Sequence, residues 1–263
     1  MFLLDFFSAY SVWTLTSLAV FAFIAGFIDA IVGGGGLIQL PALLIQFPQT
    51  AIATLFGTNK IAAFTGTSFA AVHYGKRIRF DYKLLLLISF FAGIASFTGA
   101  KVVSYIDVKL LRPFILVILI LIVVYTFFKK DLGAMETKNL SFPKQALWGS
   151  LLALGLGFYD GFFGPGTGSF FVLGFVVLLG FEFVKASAYA KVINSVTNIS
   201  AIFVFISQGN YLLGIAILMA ISNISGNIIG TKMALKKGNG FVRIFFMLVV
   251  TLLIIRYAYD IFF

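Results

Sequence analysis

Two aspartates embedded in apolar sequence are each followed by a glycine-rich break, and the two occurrences stand in register. The first reads Gly26-Phe27-Ile28-Asp29-Ala30-Ile31-Val32-Gly33-Gly34-Gly35-Gly36, and the second Gly157-Phe158-Tyr159-Asp160-Gly161-Phe162-Phe163-Gly164-Pro165-Gly166-Thr167-Gly168. The shift of 131 residues (160 − 29) that superposes the aspartates also superposes Lys60 on Lys191, Gly99 on Gly230, Lys101 on Lys232 and Arg112 on Arg243. The chain is an internal duplication. A carboxylate beside broken helix in hydrocarbon is costly and marks a substrate or ion pathway, so two in repeat register point to transport.

The membrane setting follows from composition: 61% of residues are hydrophobic, 11% are charged, and the mean hydropathy is +1.08. Runs able to span about 30 Å of hydrocarbon as helix fall at about 11 to 32, 51 to 73, 84 to 100, 110 to 128, 146 to 163, 186 to 207, 211 to 231 and 241 to 259. The expected fold is an all-α polytopic membrane protein. Each of its two homologous halves has four spanning helices plus one broken or re-entrant segment, 37 to 47 and 169 to 179. The expected divisions are a first repeat over 1–130, a polar linker over 131–145 and a second repeat over 146–263. No basic n-region or small-residue cleavage site accompanies the first apolar run, so it reads as a retained helix.

Net charge is +10, but the lysines and arginines sit at helix ends, where they anchor to headgroups rather than to nucleic acid. If each half crosses the membrane an odd number of times, the connections 73–83, 129–144 and 232–243 share one side. That side collects 12 Lys and Arg, against 3 for the connection 101–112. An even number would balance the charges and break the positive-inside rule, so inverted repeats are expected. Cysteine is absent and His73 is the single histidine, leaving no thiolate site and no histidine-based metal centre. No metal, no cofactor and no enzyme activity are expected.

The candidate site is built from both halves. Gly33, Gly34, Gly35 and Gly36, with Gly164, Gly166, Thr167 and Gly168, interrupt the helical ladder and offer N–H groups to an anion, as helix N-termini do. Close helix packing through small residues is the plainer explanation of the same glycines. Asp29 and Asp160 could relay protons or couple an ion, or could cap the following half-helix. Lys60, beside Asn59, and Lys191 lie well inside the second helix of each half, where an ammonium needs an aspartate or a substrate unless it snorkels. Asn194 and Asn198 fall on the face of Lys191, a polar stripe that either contacts substrate or bonds a neighbouring helix. Asn223 and Asn227 have no asparagine counterparts in the first half, which predicts an asymmetric site.

The paired glycine motifs, with Gly57-Thr58-Asn59-Lys60, resemble the TauE/SafE family of membrane proteins over essentially the whole chain. The resemblance implies a multi-pass inner-membrane permease, in a family associated with export of sulfite, sulfoacetate and related sulfur-containing anions. One departure is that Ala188-Tyr189-Ala190-Lys191 stands where the first half has Gly57-Thr58-Asn59-Lys60. The expected function is transport of a small anion, a sulfur oxyanion or organosulfonate, by alternating access. The expected partners are that anion and the lipid bilayer, with self-association left open. Cation or metal transport using Asp29 and Asp160, and an accessory role in a membrane complex, are the alternatives.

Overall fold

The computed structural model describes residues 10–103, 137–138 and 140–262, and all of the longer regular structure among them is helical. The elements are α1 (Val12–Val32), α2 (Gly36–Gln46), α3 (Ile52–Gly75), α4 (Tyr82–Val102), α5 (Phe142–Phe162), α6 (Thr167–Gly174) continued by a π-helical turn (Phe175–Leu179), α7 (Phe183–Ser207) and α8 (Leu213–Phe262). Local signals start several of them. The Ser11 hydroxyl caps α1 by accepting from Thr14 N, the Asp81 carboxylate caps α4 by accepting from Lys83 N and Leu84 N, and Pro143 sits in the first turn of α5. The expected run at 110–128, and residues 131–136 and 139 of the linker, lie outside the described residues.

Four helical stretches among the described residues are long and apolar enough to span a membrane: Val12–Val32, Tyr82–Val102, Phe183–Ser207 and Leu213–Val249. Seven of the eight expected runs fall on described residues, and the count is lower than seven for two reasons. The runs at 211–231 and 241–259 are both part of α8, which is interrupted at Gly238 (φ 72°, ψ −165°). Helices α3 and α5 have the length, at 24 and 21 residues, but polar residues lower their apolarity: Thr58, Asn59, Lys60 and Thr67 in α3, and Lys144, Gln145 and Asp160 in α5.

The half-helices turn back. Gln46, at the end of α2, accepts from the Thr14 hydroxyl and donates to the Ser17 hydroxyl, which returns α2 to the start of α1. With 11 residues, α2 reaches only about 16 Å. Helix α6 with its π-helical turn plays the equivalent part after α5, ending at Gly180 in the left-handed region (φ 75°).

The halves interlock rather than sit side by side. Helix α1 packs along α8, where Gly26 admits the backbone of Asn223 and Gly230 that of Phe27. Helix α4 packs along α5 in the same way: Gly157 admits Ala92, and Gly99 admits Phe158. Each contact maps onto its partner contact by the shift of 131 residues, and a Cβ at any of these four glycines would enter the facing backbone. Both pairs run parallel. Helices α3 and α7 run in opposite directions: Leu55 and Phe56 near the start of α3 share an apolar cluster with Val204 and Phe205 near the end of α7, whereas Tyr74 at the end of α3 shares another with Phe183 and Tyr189 at the start of α7. These two clusters enclose the polar layer from opposite ends.

Candidate functional site

Both α1 and α5 stop just after their aspartate because the next residues leave helical space. Gly33 and Gly34 have φ of 80° and 89°, and Gly164 and Gly166 have 89° and 87°, a region that side chains with a Cβ rarely adopt. The two breaks touch. Gly33 packs its backbone against Gly168 so closely that neither has room for a Cβ. Sequence alone could not show this contact, and it gives Gly33 a packing role rather than a place in the cavity wall.

Around the breaks lies a cavity of about 30 Å³, lined by Asp29, Asn59, Lys60, Asp160, Asn194 and Asn198 together with glycines of both breaks and Thr167. Most of the expected site residues therefore meet at one place. Lys191 is the exception besides Gly33: fully buried, it stands behind Asp29 and does not reach the cavity. Gln39, Ala63, Thr67 and Asn223 complete the wall. Gln39 had a signal that the sequence reading passed over, as a polar residue in an otherwise apolar half-helix.

The charges pair across the halves. Lys60 Nζ of the first half lies 2.7 Å from Asp160 Oδ2 of the second, and Lys191 Nζ of the second donates to Asp29 Oδ2 of the first at 3.0 Å. The repeat shift exchanges these two bridges. Both are nearly closed to solvent, with side chains between 0% and 10% exposed. Charges so buried are tolerable only when paired, since an unpartnered one costs several kcal/mol. Neither aspartate caps a half-helix: the cap positions are Gly35 and Gly166, with no side-chain cap bond.

The rest of the wall is less symmetric. The Thr67 hydroxyl donates to Asp29 Oδ2 at 3.0 Å, and Asn223 Nδ2 donates to Gln39 Oε1 at 2.7 Å. The positions equivalent to Asn223 and Gln39 are Ala92 and Phe170, so the expected asymmetry is present and lies on the Asp29 side. The asparagine stripe on α7 bonds to itself, Asn198 Nδ2 donating to Asn194 Oδ1 at 3.5 Å. Several donors at the site have no acceptor among the described residues: Gln39 Nε2 and the backbone N–H groups of Gly34, Gly35 and Gly36. What the arrangement offers chemically is a neutral set of two ammonium groups and two carboxylates, with uncommitted N–H donors beside it.

The sequence matches the family described as "Sulfite exporter TauE/SafE" over residues 18–257. The chain belongs to the TauE/SafE family. Curated relatives of this TauE/SafE chain include "Probable membrane transporter protein" of Haemophilus influenzae, 36% identical over 239 residues covering 90% of this chain and 92% of the relative. "Probable membrane transporter protein ORF9" of Sinorhizobium sp is 36% identical over 247 residues, covering 94% and 93%. "Probable membrane transporter protein YfcA" of Escherichia coli K12 is 34% identical over 245 residues, covering 91% and 87%. No solved structure matches the chain. The protein is thus a membrane transporter of the TauE/SafE family.

Proposed function

We propose that this TauE/SafE protein carries a small anion, a sulfur oxyanion or organosulfonate, across the inner membrane by alternating access, with the cavity at Asp29, Lys60 and Asp160 as its site. One observation carries the choice of an anion. Both carboxylates already hold a lysine ammonium, while the N–H groups of Gly34, Gly35 and Gly36 and Gln39 Nε2 lack acceptors. A cation entering this site would compete with a lysine for either carboxylate, with Asn59 Oδ1 as an unpartnered amide oxygen at hand, whereas an oxyanion supplies what the free donors need. The family's description as a sulfite exporter supports sulfur oxyanions within that class.

The two repeats, 1–130 and 146–263 about the linker 131–145, are inverted relative to one another in this reading. The opposite run of the equivalent helices α3 and α7 supports it, as does the exchange by the repeat shift of the two ion pairs and of the glycine contacts between α1 and α8 and between α4 and α5. The cavity, about 30 Å³, has room for about two water molecules, and in this reading it widens as the halves move to load an oxyanion.

The test is thermal stabilisation of the detergent-purified protein by sulfite, thiosulfate, sulfate, sulfoacetate and unrelated anions, followed by flux of any stabilising anion in proteoliposomes. Stabilisation by sulfur oxyanions that rises with concentration, with matching flux, is expected. Stabilisation by cations alone, or chemical turnover without flux, rejects the reading.

A further inference from the structure

The two cross-half ion pairs are equivalent by repeat and unlike in construction. Asp29 Oδ2 accepts two aligned hydrogen bonds, from Lys191 Nζ and Thr67 Oγ1, each at 3.0 Å. Asp160 has a single polar partner among the described residues, Lys60 Nζ at 2.7 Å, and its Oδ2 accepts no well-aligned hydrogen bond. The residue equivalent to Thr67 is Asn198, whose amide turns to Asn194 and leaves Asp160 without a second donor. The lysines differ too. Lys60 faces the cavity, and its ammonium lies against Gly164, 3.1 Å from the place of a Cβ there, whereas Lys191 is fully enclosed.

We propose that the Lys60–Asp160 pair is the one that opens: an anion takes the place of Asp160 on the Lys60 ammonium, Asp160 takes up one proton, and Lys191–Asp29 stays closed as a fixed clamp between the halves. The charge balance requires the proton. The buried set is neutral with both pairs formed, so a singly charged anion entering alone leaves one uncompensated negative charge in a water-poor site, at a cost of several kcal/mol. With the proton, ammonium and carboxylate become ammonium, bound anion and carboxylic acid, and the net charge is unchanged. The titratable groups facing the cavity or flanking it, among the described residues, are Asp29 on α1, Lys60 on α3, Asp160 on α5 and Lys191 on α7. Two phenols stand close by and are engaged as donors, Tyr74 to Ala30 O and Tyr159 to Pro165 O. Asp160 is the carboxylate with the fewest bonds to lose.

This inference rests on the anion-transport reading, and its test separates the two. Methanesulfonate and thiosulfate, which do not titrate near neutrality, are the probes, applied to the full-length protein in weakly buffered detergent with a pH indicator. The wild type is expected to take up about one proton per methanesulfonate bound, with Kd rising as the pH is raised. Asp160→Asn, which mimics the protonated acid, is expected to bind without proton uptake and with a nearly pH-independent Kd. The double variant Asp29→Asn/Lys191→Met, which removes the second pair and leaves the buried set neutral, is expected to keep the uptake where it folds. Binding by the wild type without proton uptake overturns the inference whether or not either variant folds, as does uptake that survives Asp160→Asn or is abolished in a folded Asp29→Asn/Lys191→Met variant that still binds. If neither probe nor any other anion binds wild type or Asp160→Asn, the anion reading falls and this inference with it.

Discussion

Thr58 and Tyr189, equivalent under the repeat shift yet chemically unlike, hold equivalent backbone donors in the two halves. Thr58 Oγ1 accepts from Leu212 N at 2.9 Å, at the start of α8, and Tyr189 Oη accepts from Asp81 N at 2.8 Å, at the start of α4. Each hydroxyl steadies the entry of a helix in the opposite half by satisfying an N–H that the helix itself cannot. Thr58→Val and Tyr189→Phe keep size and remove the acceptor. Each is expected to lower stability by about 1 to 2 kcal/mol, read as a lower melting temperature in detergent, with flux per folded molecule unchanged. A flux defect without a stability change would place these hydroxyls in the transport path instead.

Removing a single member of the Asp29–Lys191 pair strands a buried charge. Lys191→Met is expected to destabilise the protein by about 3 to 5 kcal/mol, and adding Asp29→Asn to recover most of it, because the neutral pair leaves nothing uncompensated. Chemical or thermal unfolding of the single and double variants gives the comparison. A double variant no more stable than Lys191→Met alone contradicts the pairing.

Lys60→Met, by contrast, is expected to weaken anion binding by about 1 to 3 kcal/mol, the range for charge-assisted hydrogen bonds. Isothermal titration of the folded variant measures it. Unchanged affinity removes Lys60 from the anion site.

The glycines of the breaks separate into two kinds. A Cβ at Gly35 would come within 2.5 Å of Ala25 O and 2.8 Å of Asp29 Cβ, and Gly166 has φ of 87°, so alanine at either position is expected to lower folded yield as well as flux. Gly36 is the discriminating site: it lines the cavity, opens α2, and has no neighbour nearer than 3.5 Å to an added Cβ. Gly36→Ala is expected to leave the stability, read from thermal unfolding, within about 1 kcal/mol of wild type, as for an alanine in an accommodating helical position, while reducing flux by narrowing the cavity. Normal flux in proteoliposomes argues against the breaks as the substrate site.

Arg77 and Lys236 are expected on one side of the membrane, the cytoplasmic side. They lie at the same end of the bundle: Phe80 packs on Tyr189 near the start of α7, and Val184 N and Glu182 bond Asn239 just beyond Lys236. Single cysteines introduced into this cysteine-free chain and labelled from outside intact cells report the side. Labelling at one position and not the other rules out the arrangement.

The sequence by itself determined the helical class, and it pointed to a duplication and to most of the residues that line the cavity, because each leaves a mark in the order of residues: apolar runs, a repeat offset, and polar groups where hydrocarbon makes them costly. Asp29, Lys60, Asp160 and Lys191 could be named as exceptional for that reason. Which aspartate met which lysine was beyond it. Pairing within a half and pairing across halves put the same residues in the same register, and only the interlock of α1 with α8 and of α4 with α5 brings Lys60 to Asp160 and Lys191 to Asp29. The difference between the pairs is also tertiary: Thr67 aims at its aspartate and Asn198 turns away from its own, a matter of side-chain direction that residue type does not encode. Gly33 makes the same point from the backbone, since its four-glycine run suggests a ligand cradle, yet the fold brings the second break against it and uses the missing Cβ to join the two halves.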